Sequence, residues 1–136
     1  MNLLTTESTK GTKIEFDALS NRVIGCALEV HRNLGPGLLE SAYECTLAYE
    51  LTEKNISFQQ QFPLSVRYKQ TSIDCAYRID LFIDETLVVE LKSVEQLLPI
   101  HEAQLLTYMK LANVKTGLLI NFNVPLLKQG IKRMVL

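Results

Sequence analysis

The sequence has no tryptophan, three cysteines, four prolines and six glycines in 136 residues, and each shortage closes a class of protein. So little proline and glycine excludes a fibrous or low-complexity chain. Cys26, Cys45 and Cys75 lie 19 and 30 residues apart with no CxxC pair. An odd, scattered set builds neither a disulfide framework nor a four-thiolate iron–sulfur site, so these read as reduced, mostly buried thiols. No apolar run approaches the roughly 18 residues that a membrane helix needs. The opening MNLLTTESTKGTKIEFDALS lacks the basic segment and apolar stretch of a leader. The expectation is a cytoplasmic protein with no membrane partner. Neither sign of charge dominates: 14 Lys plus Arg against 15 Asp plus Glu leave a net charge of −1, which excludes a protein that coats nucleic acid by bulk charge.

What is present is an ordinary globular composition, 47% hydrophobic and 21% charged. A chain of this length buries on the order of two thirds of its unfolded surface, so it needs no structural metal. Metal ligands in it would serve something other than folding. The charge is unevenly spread: Lys110, Lys115, Lys128, Lys132 and Arg133 are followed or separated by no acid, which leaves room for a local basic face. Aromatic residues interleaved with basic ones, the pattern that stacks single strands, are sparse.

Residues 1–18 carry no sustained period and read as a loose lead-in, with Ile14 and Phe16 as apolar points that could dock. Residues 19–136 read as a single domain. Val23, Cys26, Ala27, Val30 and Leu34 form a helical stripe that stops at Gly35-Pro36-Gly37. A second helix runs from Leu38 to about Lys54, with Leu39, Ala42, Tyr43, Leu47 and Leu51 on one face. Residues 56–83 change to a period of two, broken by a turn at Lys69-Gln70, and Asp84-Glu85-Thr86 separates them from the run Leu87 to Leu91. A three-residue loop there sets Ile83 against Leu87, Leu81 against Val89 and Ile79 against Leu91, all apolar pairs. A helix over residues 100–112 follows, with His101, Gln104, Tyr108 and Leu111 along one side. Leu118-Leu119-Ile120 is continuous enough for a strand buried on both faces and parallel to a neighbour. Residues 131–136 read as a last strand or a helical end.

The apolar register places Asp80 directly opposite Glu90, and Lys92, two residues on, shares the face of Glu90. Two carboxylates side by side repel and resist burial, so a pair on an otherwise apolar hairpin implies a cation, Mg²⁺ or Mn²⁺ by its preference for oxygen ligands. The plainer reading is a salt-bridge strip in which Asp80 pairs with Arg78 or Lys92 and Glu90 with Lys92. His31 and His101 have no metal-ligand spacing; His31 is a candidate ligand, substrate contact or capping group near the end of the first helix, and His101 a candidate phosphate contact or an exposed rim residue.

The stretch Leu34-Gly35-Pro36-Gly37-Leu38-Leu39-Glu40-Ser41-Ala42-Tyr43 resembles the signature of the GxxExxY proteins of the PD-(D/E)XK nuclease superfamily, with Gly37, Glu40 and Tyr43 in the named positions. The resemblance continues through His31, Tyr77 to Asp80, Val89 to Lys92, His101 to Tyr108 and Gly117 to Phe122. It implies an α/β fold with a mixed sheet, the restriction-endonuclease-like core of helix, antiparallel three-stranded meander, helix and further strand. It implies that Asp80, Glu90 and the Leu91 carbonyl hold Mg²⁺, with Mn²⁺ able to substitute, and that Lys92 orients or activates the attacking water. Glu40 is then an additional acid near the metal, Gln104 and Tyr108 position the substrate or the lysine, and Tyr43, His31 and His101 are candidate substrate contacts. Ile79 stands where the superfamily's name places a proline.

The function so implied is metal-dependent hydrolysis of phosphodiester bonds, in DNA rather than RNA. Target choice in so small a chain would come from the basic C-terminal third, a homodimer or an accessory protein. One alternative is a non-catalytic nucleic-acid-binding or assembly module that keeps the fold, though such a module gains nothing from two clustered acids that repel phosphate. Another is a hydrolase of small phosphoesters.

Overall fold

A computed structural model describes residues 17–136, apart from the side chains of Cys75 and Ala76. The expectations for Ile14, Phe16 and the Cys75 thiol fall outside the described residues. Asp17 starts the first helix, α1 (Ala18–Leu34): its carboxylate accepts from the backbone N–H of Ser20 at 3.0 Å. The helix stops at Gly35, whose N–H returns to the carbonyl of His31 at 2.7 Å. Gly35 and Gly37 take φ of 66° and 101°, a turn that other residues adopt only with strain. The next helix, α2 (Glu40–Glu53), begins without a side-chain cap, and Glu40 in its first turn complements the helix dipole. Leu39 was expected on the core face but is 76% exposed, because it precedes the helix and does not share its stripe.

Three antiparallel strands follow, β1 (Phe58–Tyr68), β2 (Thr71–Ile83) and β3 (Leu87–Lys92). Lys69 and Gln70, both at positive φ, make the tight β1–β2 turn. The Asp84 to Thr86 loop sets Ile83 against Leu87 and Leu81 against Val89, in the register that the apolar pattern dictates. Helix α3 (Pro99–Ala112) then carries the chain to β4 (Thr116–Asn121), which lies parallel to β3. Gly117 lets α3 pack closely on β4, since a Cβ there would meet the Met109 sulfur at 2.7 Å. A short 3₁₀ turn (Leu127–Gly130) leads to β5 (Ile131–Val135), antiparallel to β4. The result is a five-stranded mixed sheet in chain order with helices on both faces.

The core is correspondingly double. Leu81, Ile83, Val89, Leu91, Leu118 and Ile120 pack toward α1 and α2, while Ile79, Phe82, Val88 and Leu119 pack toward Leu105 and Met109 of α3. Leu118 to Ile120 is thus buried on both faces, as its unbroken apolar run required. Ile79 departs from expectation: it lies on the α3 side, opposite to Leu81, so the strict alternation of β2 is lost at Asp80.

The thiols of Cys26 and Cys45 are free; Cys26 is buried, but Cys45 is exposed. Among the described residues no helix is long and apolar enough to cross a membrane. The basic C-terminal third is partly spent within the fold, because Lys132 pairs with Glu102 at 2.9 Å and Arg133 with Asp17 at 2.7 Å.

Candidate active site

The break in β2 and the candidate site are the same feature. Backbone pairing between β2 and β3 covers only Leu81 to Ile83 against Leu87 to Val89. At the next position the side chains replace the ladder: the backbone N–H of Asp80 donates to Glu90 Oε2 at 2.9 Å, and the N–H of Leu91 donates to Asp80 Oδ2 at 2.8 Å. Each acid therefore grips the opposite strand's side of the break. In the neighbouring strand Gln61 takes φ of 50°, so β1 bends at the same level. These irregularities explain why Ile79 does not face Leu91.

The electrostatics follow from burial. Glu90 is only 6% exposed, and its carboxyl is pushed up to about 8, first by loss of water and next by the charge of Asp80. The N–H of Asp80 and the Lys92 ammonium pull in the opposite direction without prevailing. Asp80 is also raised, chiefly by burial, with Glu44 and Glu40 adding repulsion against the bonds from Leu91 and Gln61. Neither acid forms an ion pair among the described residues, so the salt-bridge strip is not what holds them. Glu90 Oε1 makes no hydrogen bond among the described residues although it is buried. A hard-oxygen pair with one buried, unpartnered carboxylate oxygen fits a small divalent cation. No three His, Cys, Asp or Glu residues among those described are grouped to hold a metal alone, so the fit relies on two carboxylates completed by carbonyl and water oxygens.

Lys92, last in β3, reaches Gln104 Oε1 on α3 at 3.5 Å. One turn further along α3, the Tyr108 hydroxyl is raised by burial and then by Glu90, Tyr77 and Asp80. The loop after β3 is pinned from two sides. Ser93 Oγ donates to the Leu38 carbonyl at 2.6 Å, and the buried Asn121 amide both accepts from the Val94 N–H and donates to its carbonyl, each at 3.0 Å. The α1–α2 turn is thereby fixed beside the end of β3, with exposed Glu40 close enough to raise both acids.

Three expected substrate contacts make bonds within the fold. Tyr43 is fully buried and stacks on Phe122 with ring centroids 4.4 Å apart, and its hydroxyl donates to Gly35 while accepting from the Leu38 N–H. A side chain so enclosed shapes the turn that carries Glu40. His31, likewise buried, bonds the Val124 carbonyl through Nε2 at 2.8 Å and ties α1 to the loop after β4. His101 Nδ1 accepts from the Leu98 N–H at 2.9 Å, so that nitrogen caps α3.

Two residues enter the site that the sequence reading passed over. Gln61 bridges Glu44 and Asp80, donating at 2.8 and 3.3 Å, and Gln60 donates to the other Glu44 oxygen at 3.0 Å. The signal for Glu44 was its place four residues after Glu40, on the same helical face. Gln61 left no signal, because its role depends on an unusual backbone angle.

No curated protein and no solved structure matches the chain. A family model of the PD-(D/E)XK nuclease superfamily matches residues 17–134, a span that includes the whole of the Asp80, Glu90 and Lys92 constellation. The chain belongs to the PD-(D/E)XK nuclease superfamily.

Proposed function

We propose that the protein is a divalent-metal-dependent nuclease that hydrolyses phosphodiester bonds in DNA. The observation that carries this reading is the reciprocal lock of Asp80 and Glu90, which keeps two acids buried together at the end of a strand with a lysine two residues on. Nothing in folding rewards such a pair: like charges and lost hydration both oppose it. Asp80, Glu90 and the Leu91 carbonyl would hold the ion, Mg²⁺ or Mn²⁺, which when bound neutralises charge on the phosphate and acidifies water. Lys92, steadied by Gln104, is placed to orient the attacking water and to balance phosphate charge, and Tyr108 borders the same space. Glu40 and Glu44 add negative charge on the α2 side. The segment Gly37 to Tyr43 supports membership of the GxxExxY group, DNA is the substrate expected from that resemblance, and residues 19–136 are its single catalytic domain. An exposed free thiol at Cys45 suits a reducing compartment, the cytoplasm. Target choice falls to a homodimer or an accessory protein where the chain's own surface does not suffice.

The test is cleavage of labelled single-stranded, duplex and branched DNA with Mg²⁺ or Mn²⁺, comparing wild type with Lys92→Ala and Glu90→Ala. The proposal requires cleavage that depends on metal and falls about 10²- to 10⁴-fold in both variants. Cleavage that survives in both variants would remove the chemistry from this site.

A further inference from the structure

Both strands of the β1–β2 pair change faces at one level. Gln60 pairs with Leu81, which packs toward α1 and α2, whereas Phe62 pairs with Ile79 and both pack toward α3. Residues two apart in an unbroken strand share a face, so the turnover falls on the residues between these pairs, Gln61 in β1 and Asp80 in β2. Gln61 shows it in its backbone, with φ of 50° inside a strand. The other described residues besides glycine at positive φ, Asn55, Lys69, Gln70, Asp84, Glu85 and Asn113, all stand in turns or at helix ends. Gln61 is also exposed, so no burial of its side chain compels an angle that costs an L residue free energy.

What the angle achieves is a set of bonds. Successive strand residues ordinarily point to opposite faces, yet the Gln60 and Gln61 amides both donate to Glu44 of α2, at 3.0 and 2.8 Å, one to each carboxylate oxygen. Anchored there, Gln61 Nε2 also donates to Asp80 Oδ1 at 3.3 Å. The other oxygen of that carboxylate, Oδ2, accepts from the Leu91 N–H at 2.8 Å. Asp80 is therefore gripped at both oxygens, from β1 on one side and β3 on the other, and each oxygen keeps a second lone pair. The amide also stands between two carboxylates, Glu44 and Asp80, whose charges oppose each other, and offsets that repulsion.

We infer that Gln61 is a positioning residue for the candidate metal ligand Asp80: its amide, held by Glu44, fixes the Asp80 carboxylate in the orientation that receives a divalent cation. The left-handed backbone at Gln61 is kept because it brings the amide to that point, a local strain of the kind that functional sites retain. Groups that orient a ligand act on metal affinity without touching the ion. The inference rests on the proposed metal site and goes beyond it, since it gives β1 and α2 a share in holding the ion through Asp80.

The test is calorimetric titration of the full chain with Mn²⁺, comparing wild type with two variants. Gln61→Gly suits the backbone angle but has no amide, and Gln61→Met keeps an unbranched side chain of similar reach without a donor. Each weakens Mn²⁺ binding about 10- to 100-fold. Thermal melting in EDTA finds Gln61→Gly close to the wild-type midpoint, because glycine accepts the positive φ, so lost affinity is not lost fold. DNA cleavage supplies a second readout: the loss in Gln61→Gly at limiting Mn²⁺ is recovered at saturating Mn²⁺, whereas the loss in Lys92→Ala is not. Wild-type Mn²⁺ affinity in either variant, or a cleavage defect in Gln61→Gly that saturating Mn²⁺ does not repair, overturns the positioning role. Mn²⁺ binding that depends on Gln61 in a protein that cleaves no DNA would keep the role and defeat the nuclease reading; metal-dependent cleavage with an affinity indifferent to Gln61 would do the reverse. No Mn²⁺ binding by wild type overturns both.

Discussion

On the two sides of the Leu81 position the same pair of strands does opposite work. From Leu81 to Ile83, β2 and β3 exchange regular backbone bonds and bury every side chain of the pairing. One residue earlier the ladder ends, carboxylates take over the backbone N–H groups, and one acid is held near a pKa of 8. Identical strand geometry is used for stability in the first region and sacrificed in the second. The lesson is that the acids are supported by neighbours that gain nothing from them: the apolar ladder supplies the rigidity, and the lock accepts the repulsion.

That contrast can be broken from either side. In the ladder, Leu81→Ala should cost about 2–5 kcal/mol in urea unfolding, the range for truncating a fully buried leucine. In the lock, Asp80→Asn should change stability by less than about 1 kcal/mol, since the amide oxygen can still accept from Leu91 while the repulsion of Glu90 disappears. Equal losses in the two variants would erase the distinction.

The second way is pH. The folded Glu90 carboxyl lies at about 8 against 4.5 for the ordinary group, so the unfolded chain binds fewer protons between those values. Its effect on stability is therefore absent below about 4.5, grows as pH rises, and is complete above about 8, a loss on the order of a few kcal/mol. Metal-free wild type should lose stability relative to Glu90→Gln across that window, as followed by denaturant melts in EDTA. A pH-independent difference would show that Glu90 is not held neutral.

A smaller effect tests the frame outside the site. Burial would raise the Asp17 carboxyl, but its bonds to Ser20 and the Arg133 guanidinium outweigh that and hold it below the usual range. Asp17→Ala should cost about 1 kcal/mol, and the wild-type contribution should vanish as pH falls below about 3.8. No change in activity is expected from it at neutral pH, in contrast to Lys92→Ala.

Much of this frame was legible because it rests on local periodicity. The helix stop at Gly35, the turn at Lys69-Gln70, the Ile83 to Leu87 register and the doubly buried β4 all follow from patterns within a few residues. The site was legible only in outline. Opposing Asp80 to Glu90 assumed an unbroken strand, whereas their side chains break it and turn Ile79 to the other face. Tyr43 and His31 fall within recognisable motifs, yet their surroundings enclose them, and enclosure depends on Phe122 and Val124, far along the chain. The contact of Tyr77 with Tyr108 was invisible for the same reason, since interleaving sought along the sequence cannot register residues that meet only where β2 packs on α3.

The most direct measurement is calorimetric titration of the protein with Mn²⁺ at pH 7 in buffers of different ionisation enthalpy. The account predicts a site that releases about one proton on binding, because the ion must displace the proton that Glu90 holds, with binding lost in Asp80→Ala and proton release lost in Glu90→Gln. Absence of Mn²⁺ binding, or binding unchanged by Asp80→Ala, would contradict it.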